Sequence, residues 1–261
     1  MVPSLAQRKS ASGLWSILRG KKEEVRKEKL GFMWRVIGLS FVVWLLSLCP
    51  VGAQNWRDSL TAINAEIARS PYSTDLHLRK AAVNIELGQW DYAINEYGIV
   101  LDHEPDNPAA LYYRAFVHTQ QRHYEPALAD YEHLLRIAPK NMPGRLGHAY
   151  VQQRMGRKTE ALDELNMMVE MFPGEAVVYA TRAALEREIN QPEASLYDWE
   201  RAMELEPLNA DYVVSCVDLL LSQQRMAEAR YELEEAVKRG IPRGSLRQWF
   251  AKCRKVDISN P

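Results

Sequence analysis

The chain has 261 residues, 47% of them hydrophobic, which is enough for an ordered protein with a substantial core, and its formal net charge is -1. That near-neutral total hides an asymmetry: residues 1–53 hold nine Lys/Arg and three Asp/Glu, leaving 24 basic and 31 acidic residues in 54–261. An acidic body of this kind argues against nucleic acid as a partner, because phosphate binding needs a concentrated basic face.

In chain order, residues 1–32 read as a basic extension that is either disordered or precedes a true start at Met33. Residues 33–53 read as a targeting segment. Their apolar run from Val36 to Leu48 follows a positive flank and is shorter than the roughly 20 residues a membrane span needs. Pro50 and the small-residue pattern Val51-Gly52-Ala53 then place a signal cleavage after Ala53. Two alternatives stay open: an uncleaved anchor with its basic end in the cytoplasm, and lipidation at Cys49, where Leu48 is bulky for such a box. All three put the body outside the cytoplasm, in the periplasm or cell envelope or secreted, with membrane contact only through this segment if it is retained. Without the leader two cysteines remain, Cys216 and Cys253. They either pair in an oxidising compartment or pack separately as small apolar residues, and the second reading is preferred.

Beyond Ala53, prolines recur every 34 residues, at Pro71, Pro105, Pro139, Pro173 and Pro207. Cutting after this spacing gives blocks 74–107, 108–141, 142–175, 176–209 and 210–243, whose columns agree. Position 8 reads Ala81, Ala115, Ala149, Ala183 and Val217, and position 20 reads Ala93, Ala127, Ala161, Ser195 and Ala229. Position 24 is large: Tyr97, Tyr131, Leu165, Trp199 and Leu233. Two helices of a hairpin approach closely only where side chains are small, and the large residue four places on lies on the same face and fills the adjoining gap. Gly88 and Gly156, at position 15, suit the turn between helices. The proline ends the second helix. Pro108, Pro126, Pro143 and Pro192 all fall in first turns, where a missing N–H does no harm. Residues 54–73 read as an N-terminal capping helix and 244–261 as a closing helix and tail, with Leu246, Trp249, Phe250 and Cys253 spaced to cover the last hairpin.

These blocks resemble tetratricopeptide repeats, a helix-turn-helix family of 34-residue period. The second block, PAALYYRAFVHTQQRHYEPALADYEHLLRIAPKN, matches best, with Ala115, Tyr124, Ala127, Tyr131 and Pro139 on family positions. Position 7 departs from the family's Leu with Lys80, Arg114, His148, Arg182 and Cys216, and the fifth block lacks the glycine and the proline. The resemblance covers 170 of the 261 residues. It implies an all-α, right-handed superhelical solenoid whose inner wall is lined by first helices at positions 2, 5, 9, 12 and 13.

Mapped onto this chain, the middle of that wall is apolar and aromatic: Leu78, Ile85, Tyr112, Phe116, Leu146 and Tyr150. Gln120, Gln153, Arg154 and Arg187 lie at its edge as donors. Aromatic anchors beside amide and guanidinium groups suit a polypeptide laid in a groove, with Tyr112, Phe116 and Tyr150 as anchors. The expected function is a non-enzymatic adaptor or scaffold binding another protein or peptide. The alternative is a structural protein that self-associates through its convex face or open ends. A carboxylate clamp is disfavoured, because Leu78, Ala82, Tyr112 and Phe116 stand where that subgroup carries Lys and Asn. No catalytic, metal or cofactor signature is present: no H-E-x-x-H, no glycine-rich phosphate loop and no nucleophile elbow. His118 and His148 read as polar helix-surface residues, and acid pairs such as Asp163/Glu164 and Glu234/Glu235 as solvated charge.

Overall fold

The computed structural model describes residues 50–254, and all that follows concerns these. The leader, the alternatives for it and the tail beyond 254 lie outside them. The described chain is helical throughout, and residues 51–254 fall within one compact unit. Helix α1 (Pro50–Ile67) precedes five hairpins: α2 (Thr74–Glu86) with α3 (Trp90–His103), α4 (Pro108–Gln120) with α5 (Tyr124–Ile137), α6 (Met142–Arg154) with α7 (Lys158–Met171), α8 (Ala176–Glu188) with α9 (Pro192–Leu205), and α10 (Ala210–Ser222) with α11 (Met226–Lys238). A short helix α12 (Arg247–Arg254) closes the array. From α2 onward each helix packs chiefly on its neighbours in sequence, as a solenoid requires.

The expected columns are the core. All five residues at position 8 and all five at position 20 are at most 1% exposed, and those at position 24 are buried. At the first two junctions the large residue at position 24 rests on position 6 of the next repeat. Tyr97 stacks on Tyr113 with ring centroids 6.1 Å apart, and the Tyr131 ring lies directly over Gly147. Leu246, Trp249, Phe250 and Cys253 are buried as expected of a closing helix. Cys216 and Cys253 are both free and buried, so the preferred reading of separate packing holds.

The turn between the helices of each repeat uses one device. Position 15 is left-handed in all five, at Gly88, Arg122, Gly156, Asn190 and Gln224. Its N–H bonds the carbonyl three residues back, while the next N–H reaches five back, as in Gln224 to Leu221 and Arg225 to Leu220. This is the Schellman closure, which satisfies helix-terminal carbonyls. Glycine adopts the conformation freely, whereas an L side chain is strained by about 1–2 kcal/mol. Gln224→Gly is therefore expected to raise stability by about 0.5–1 kcal/mol after the entropy glycine costs, read as a higher thermal midpoint. A lowered midpoint would show that the Gln224 side chain contributes packing that its exposure does not suggest.

Three first helices begin at an Asn whose side-chain oxygen accepts backbone N–H bonds: Asn107 from Ala109 and Ala110, Asn141 from Gly144, and Asn209 from Asp211. The fifth repeat, which lacks the column proline, ends instead at Gly240, whose φ of 113° closes α11 while Ile241 turns inward and is buried. The N-terminal helix differs from its expected range. It starts at Pro50, runs through Val51–Ala53 and stops at Ile67, and Ile63 is its one fully buried residue among 55–67.

Candidate functional site: the wall of first helices

Helices α2, α4, α6, α8 and α10 each present positions 5, 9 and 12 on one stripe, because residues three and four apart share a helix face. The mapped apolar residues are neither lost in the core nor free of it. Leu78, Ile85, Tyr112 and Phe116 are half-buried and pack on the core of the first two repeats, and Leu146 packs on that of the third. The Tyr112 ring meets Tyr113 at 5.1 Å and Tyr131 at 6.2 Å, both edge-on, and burial pushes its phenol pKa up to about 12. Tyr150 is the exposed aromatic of the wall, at 38%. Beyond it, Ala184 is exposed and Val214 and Leu221 are half-buried, so the stripe continues with smaller side chains.

Three of the four edge donors bond within the chain. Gln153 donates to Glu188, which also takes Lys158 at 2.8 Å. Arg154 reaches the Tyr124 hydroxyl at 3.3 Å, and that bond holds its guanidinium pKa up. Arg187 lies 3.0 Å from Asp218, which Lys252 of the closing helix approaches at 3.6 Å. Gln120 is exposed. The wall thus divides into an apolar, aromatic part over repeats one to three and a part over repeats three to five where charges satisfy one another. A shallow depression formed by Ala138, Pro139, Lys140 and Asn141 belongs to an inter-repeat loop and includes none of the mapped residues.

Two readings of polar residues are corrected. Glu164 is not solvated: it is buried and takes Arg145 at 2.5 Å, whereas Asp163 beside it is exposed. His118 and His148 are half-buried, each with an Nδ1 lacking a hydrogen-bond partner in the protein, and burial pushes both pKa values down. His118 stands 6.1 Å from His123. A polar feature went unnoticed in the sequence altogether. Position 23 is acidic in every repeat, and it meets the basic departures at position 7: Lys80 with Glu96, Arg114 with Asp130 and Arg182 with Asp198. In repeat one His77 adds a second contact to Glu96, at 2.6 Å. The in-phase pairing of a basic column with an acidic one was the signal that would have found it. Among the described residues no group of three or more His, Cys, Asp or Glu is arranged to hold a metal ion, and no helix is long and apolar enough to cross a membrane.

Comparison with known proteins agrees with this architecture. Residues 108–141 match the family model of the tetratricopeptide repeat. A DnaJ homolog subfamily C member 7 homolog of Dictyostelium discoideum is 23% identical over 210 residues, 74% of this chain. The chain spans only 39% of that relative's length. Among solved structures, a tetratricopeptide repeat protein from Parabacteroides merdae superposes with a TM-score of 0.59 at 19% identity, covering 96% of this chain and 99% of its own. A thermophilic one in Thermus thermophilus gives 0.53 at 20%, covering 69% and 98%. YrrB, described as having an unusual peptide-binding site, gives 0.51 at 16%, covering 69% and 92%. The matched repeat and the shared fold together make this chain an all-α solenoid of the tetratricopeptide-repeat type.

Proposed function

We propose that the chain is a non-enzymatic adaptor of the cell envelope that binds another polypeptide along the wall of first helices, anchored on repeats one to three and running on past Ala184 of the fourth. The observation that carries this reading is the half-exposed apolar stripe Leu78, Ile85, Tyr112, Phe116 and Leu146 leading to exposed Tyr150, beside a stretch where the charges already have partners. Apolar surface left uncovered in this way is where a partner gains most from burial, at about 25 cal/mol per Å². Export rests on the basic flank and apolar run of residues 33–53. The first residue of the native protein tests it: Gln54 supports removal of the leader, and a chain beginning at Met1 or Met33 speaks against it.

Tyr112 and Phe116 are also packing residues, so alanine there would damage the core along with any groove. The sharper variants are Tyr150→Ala and Ala184→Arg, both at exposed positions. Photo-crosslinking from position 150 in native fractions is expected to capture one polypeptide, and the paired Tyr150→Ala and Ala184→Arg changes are expected to weaken its binding at least tenfold. Capture and affinity unchanged by both would remove this wall as the binding surface.

A further inference from the structure

In three repeats the side chain at position 4 reaches back to the proline that closes the preceding element. Arg145 donates from Nε to the Pro139 carbonyl at 2.6 Å and from an η nitrogen to Glu164, the acid at position 23 of its own repeat, at 2.5 Å. Tyr179 keeps the first of these contacts, its hydroxyl 3.3 Å from the Pro173 carbonyl. In the first repeat His77 makes both. Its Nε2 lies 2.8 Å from the Pro71 carbonyl and its Nδ1 2.6 Å from Glu96, again the acid at position 23. His77 therefore takes the part of an arginine at the junction between α1 and the first repeat, and it does so while only 5% exposed.

An arginine holds two acceptors at any pH, because it is always charged and carries donors on each arm. An imidazole has two donors only as the cation, and the neutral ring has one donor and one acceptor. Neither partner of His77 can donate in return. The Pro71 carbonyl has no proton, and Lys80 holds Glu96 as an acceptor with its Nζ 2.7 Å from the other carboxylate oxygen. Both bonds exist only while His77 carries two protons. After losing one, the ring must release the Pro71 carbonyl or turn a lone pair toward Glu96. We infer that His77 makes this junction a pH-sensitive joint, which fixes α1 to the array while the ring is protonated and loosens as pH rises. The bonded form is the protonated one, so its contribution is present at acid pH and lost as the proton leaves. The charged groups acting on the ring are Glu96 of α3 and, through it, Lys80 of its own helix, while the Glu66 carboxylate of α1 is engaged by Arg79 at 3.4 Å. Ile63 is the one residue that α1 buries fully among 55–67, so a bond at its foot weighs heavily. The joint involves none of the groove residues and stands or falls separately from the groove.

Amide hydrogen exchange of the full chain tests this, corrected for the intrinsic rate at each pH and referred to α4 as an internal standard. Protection across residues 60–73 is expected to fall at least tenfold between pH 5 and pH 8.5. His77→Arg, which copies Arg145, is expected to keep the acid-pH protection at both values, and His77→Leu to show the lower protection at both. The other histidine at this turn, His103, packs edge-on against Tyr72 at 5.4 Å and is present in both variants, so it does not account for a difference between them. Equal protection of the parent at the two pH values overturns the inference, as does a His77→Arg protein that loses protection like the parent. Independently of the variants, the nitrogen resonances of the parent's His77 ring are expected to show a proton on both nitrogens at pH 5. A ring with a single proton there overturns the inference as well.

Discussion

Arg182→Ala is expected to destabilise the chain by about 3–5 kcal/mol, the range for leaving a buried charge without its partner. The Arg182 guanidinium grips Asp198 with two bonds, Nε to Oδ2 at 2.6 Å and an η nitrogen to Oδ1 at 2.8 Å, and donates a third to Asn166 at 2.9 Å. Asp198 is wholly buried and Glu186 is 6% exposed, its Oε1 3.8 Å from the same guanidinium. Removing the cation leaves two carboxyl groups enclosed together. Urea unfolding of the variant measures the loss, and a value below about 1 kcal/mol would mean that water reaches the site. Replacing both partners with apolar residues, Arg182→Met with Asp198→Leu, is expected to cost far less than the single change, because no charge is then stranded.

The same cluster sets a pH dependence. Burial pushes the Glu186 pKa up to about 7, the neighbouring Asp198 carboxylate adds to this, and Arg182 opposes it. A carboxyl that titrates higher in the folded chain than in the unfolded one disfavours folding once ionised. Its cost is absent below the ordinary value near 4.5, grows as pH rises, and is complete above about 7. Glu186→Gln is therefore expected to match the parent near pH 4 and to be the more stable protein at pH 8, by on the order of 3 kcal/mol. Parallel stability curves for the two proteins across that range would refute the assignment.

Gly147→Ala is expected to cost about 1–3 kcal/mol in spite of alanine's better helix propensity. A Cβ at position 147 would stand 2.4 Å from Cζ and 2.6 Å from the hydroxyl of Tyr131, a side chain only 2% exposed. The ring has to move, and it is wedged between the second and third repeats. In a Tyr131→Leu background the clash disappears, and the same Gly147→Ala change is expected to turn neutral or stabilising. The next junction already has this combination, with Leu165 at the large position and Thr181 where Gly147 stands. A double-mutant cycle by chemical denaturation reads the coupling. Simple additivity would mean that the repeats slide apart cheaply, contrary to a close-packed junction.

The fold was legible because it is periodic. A small residue at position 8 and another at position 20 mean little alone, but repeated at 34-residue spacing they report one contact made five times, and all ten proved buried. The closing helix was legible for a related reason, since Leu246, Trp249, Phe250 and Cys253 follow helical spacing. The turns were half legible. Glycine marked position 15 in two repeats, while Arg122, Asn190 and Gln224 adopt the same left-handed geometry without the residue that announces it. Asn190 tolerates the conformation, whereas at Arg122 and Gln224 the neighbouring helices impose it against local preference.

The sequence by itself determined the hairpin, its length and the buried columns, because helix periodicity and steric size are local properties repeated along the chain. What the tertiary structure decided was the fate of polar side chains. Whether Glu164 meets water or Arg145, and whether Arg187 awaits a ligand or holds Asp218, depends on groups brought close from 19 and 31 residues away. Tyr112 shows the same division: the resemblance to tetratricopeptide repeats assigned it to the inner stripe, but only packing showed that it leans on Tyr113 and Tyr131 while Tyr150 stands out. Apolar burial follows from a residue's own spacing, whereas a charge or a half-exposed ring is defined by what folding sets against it.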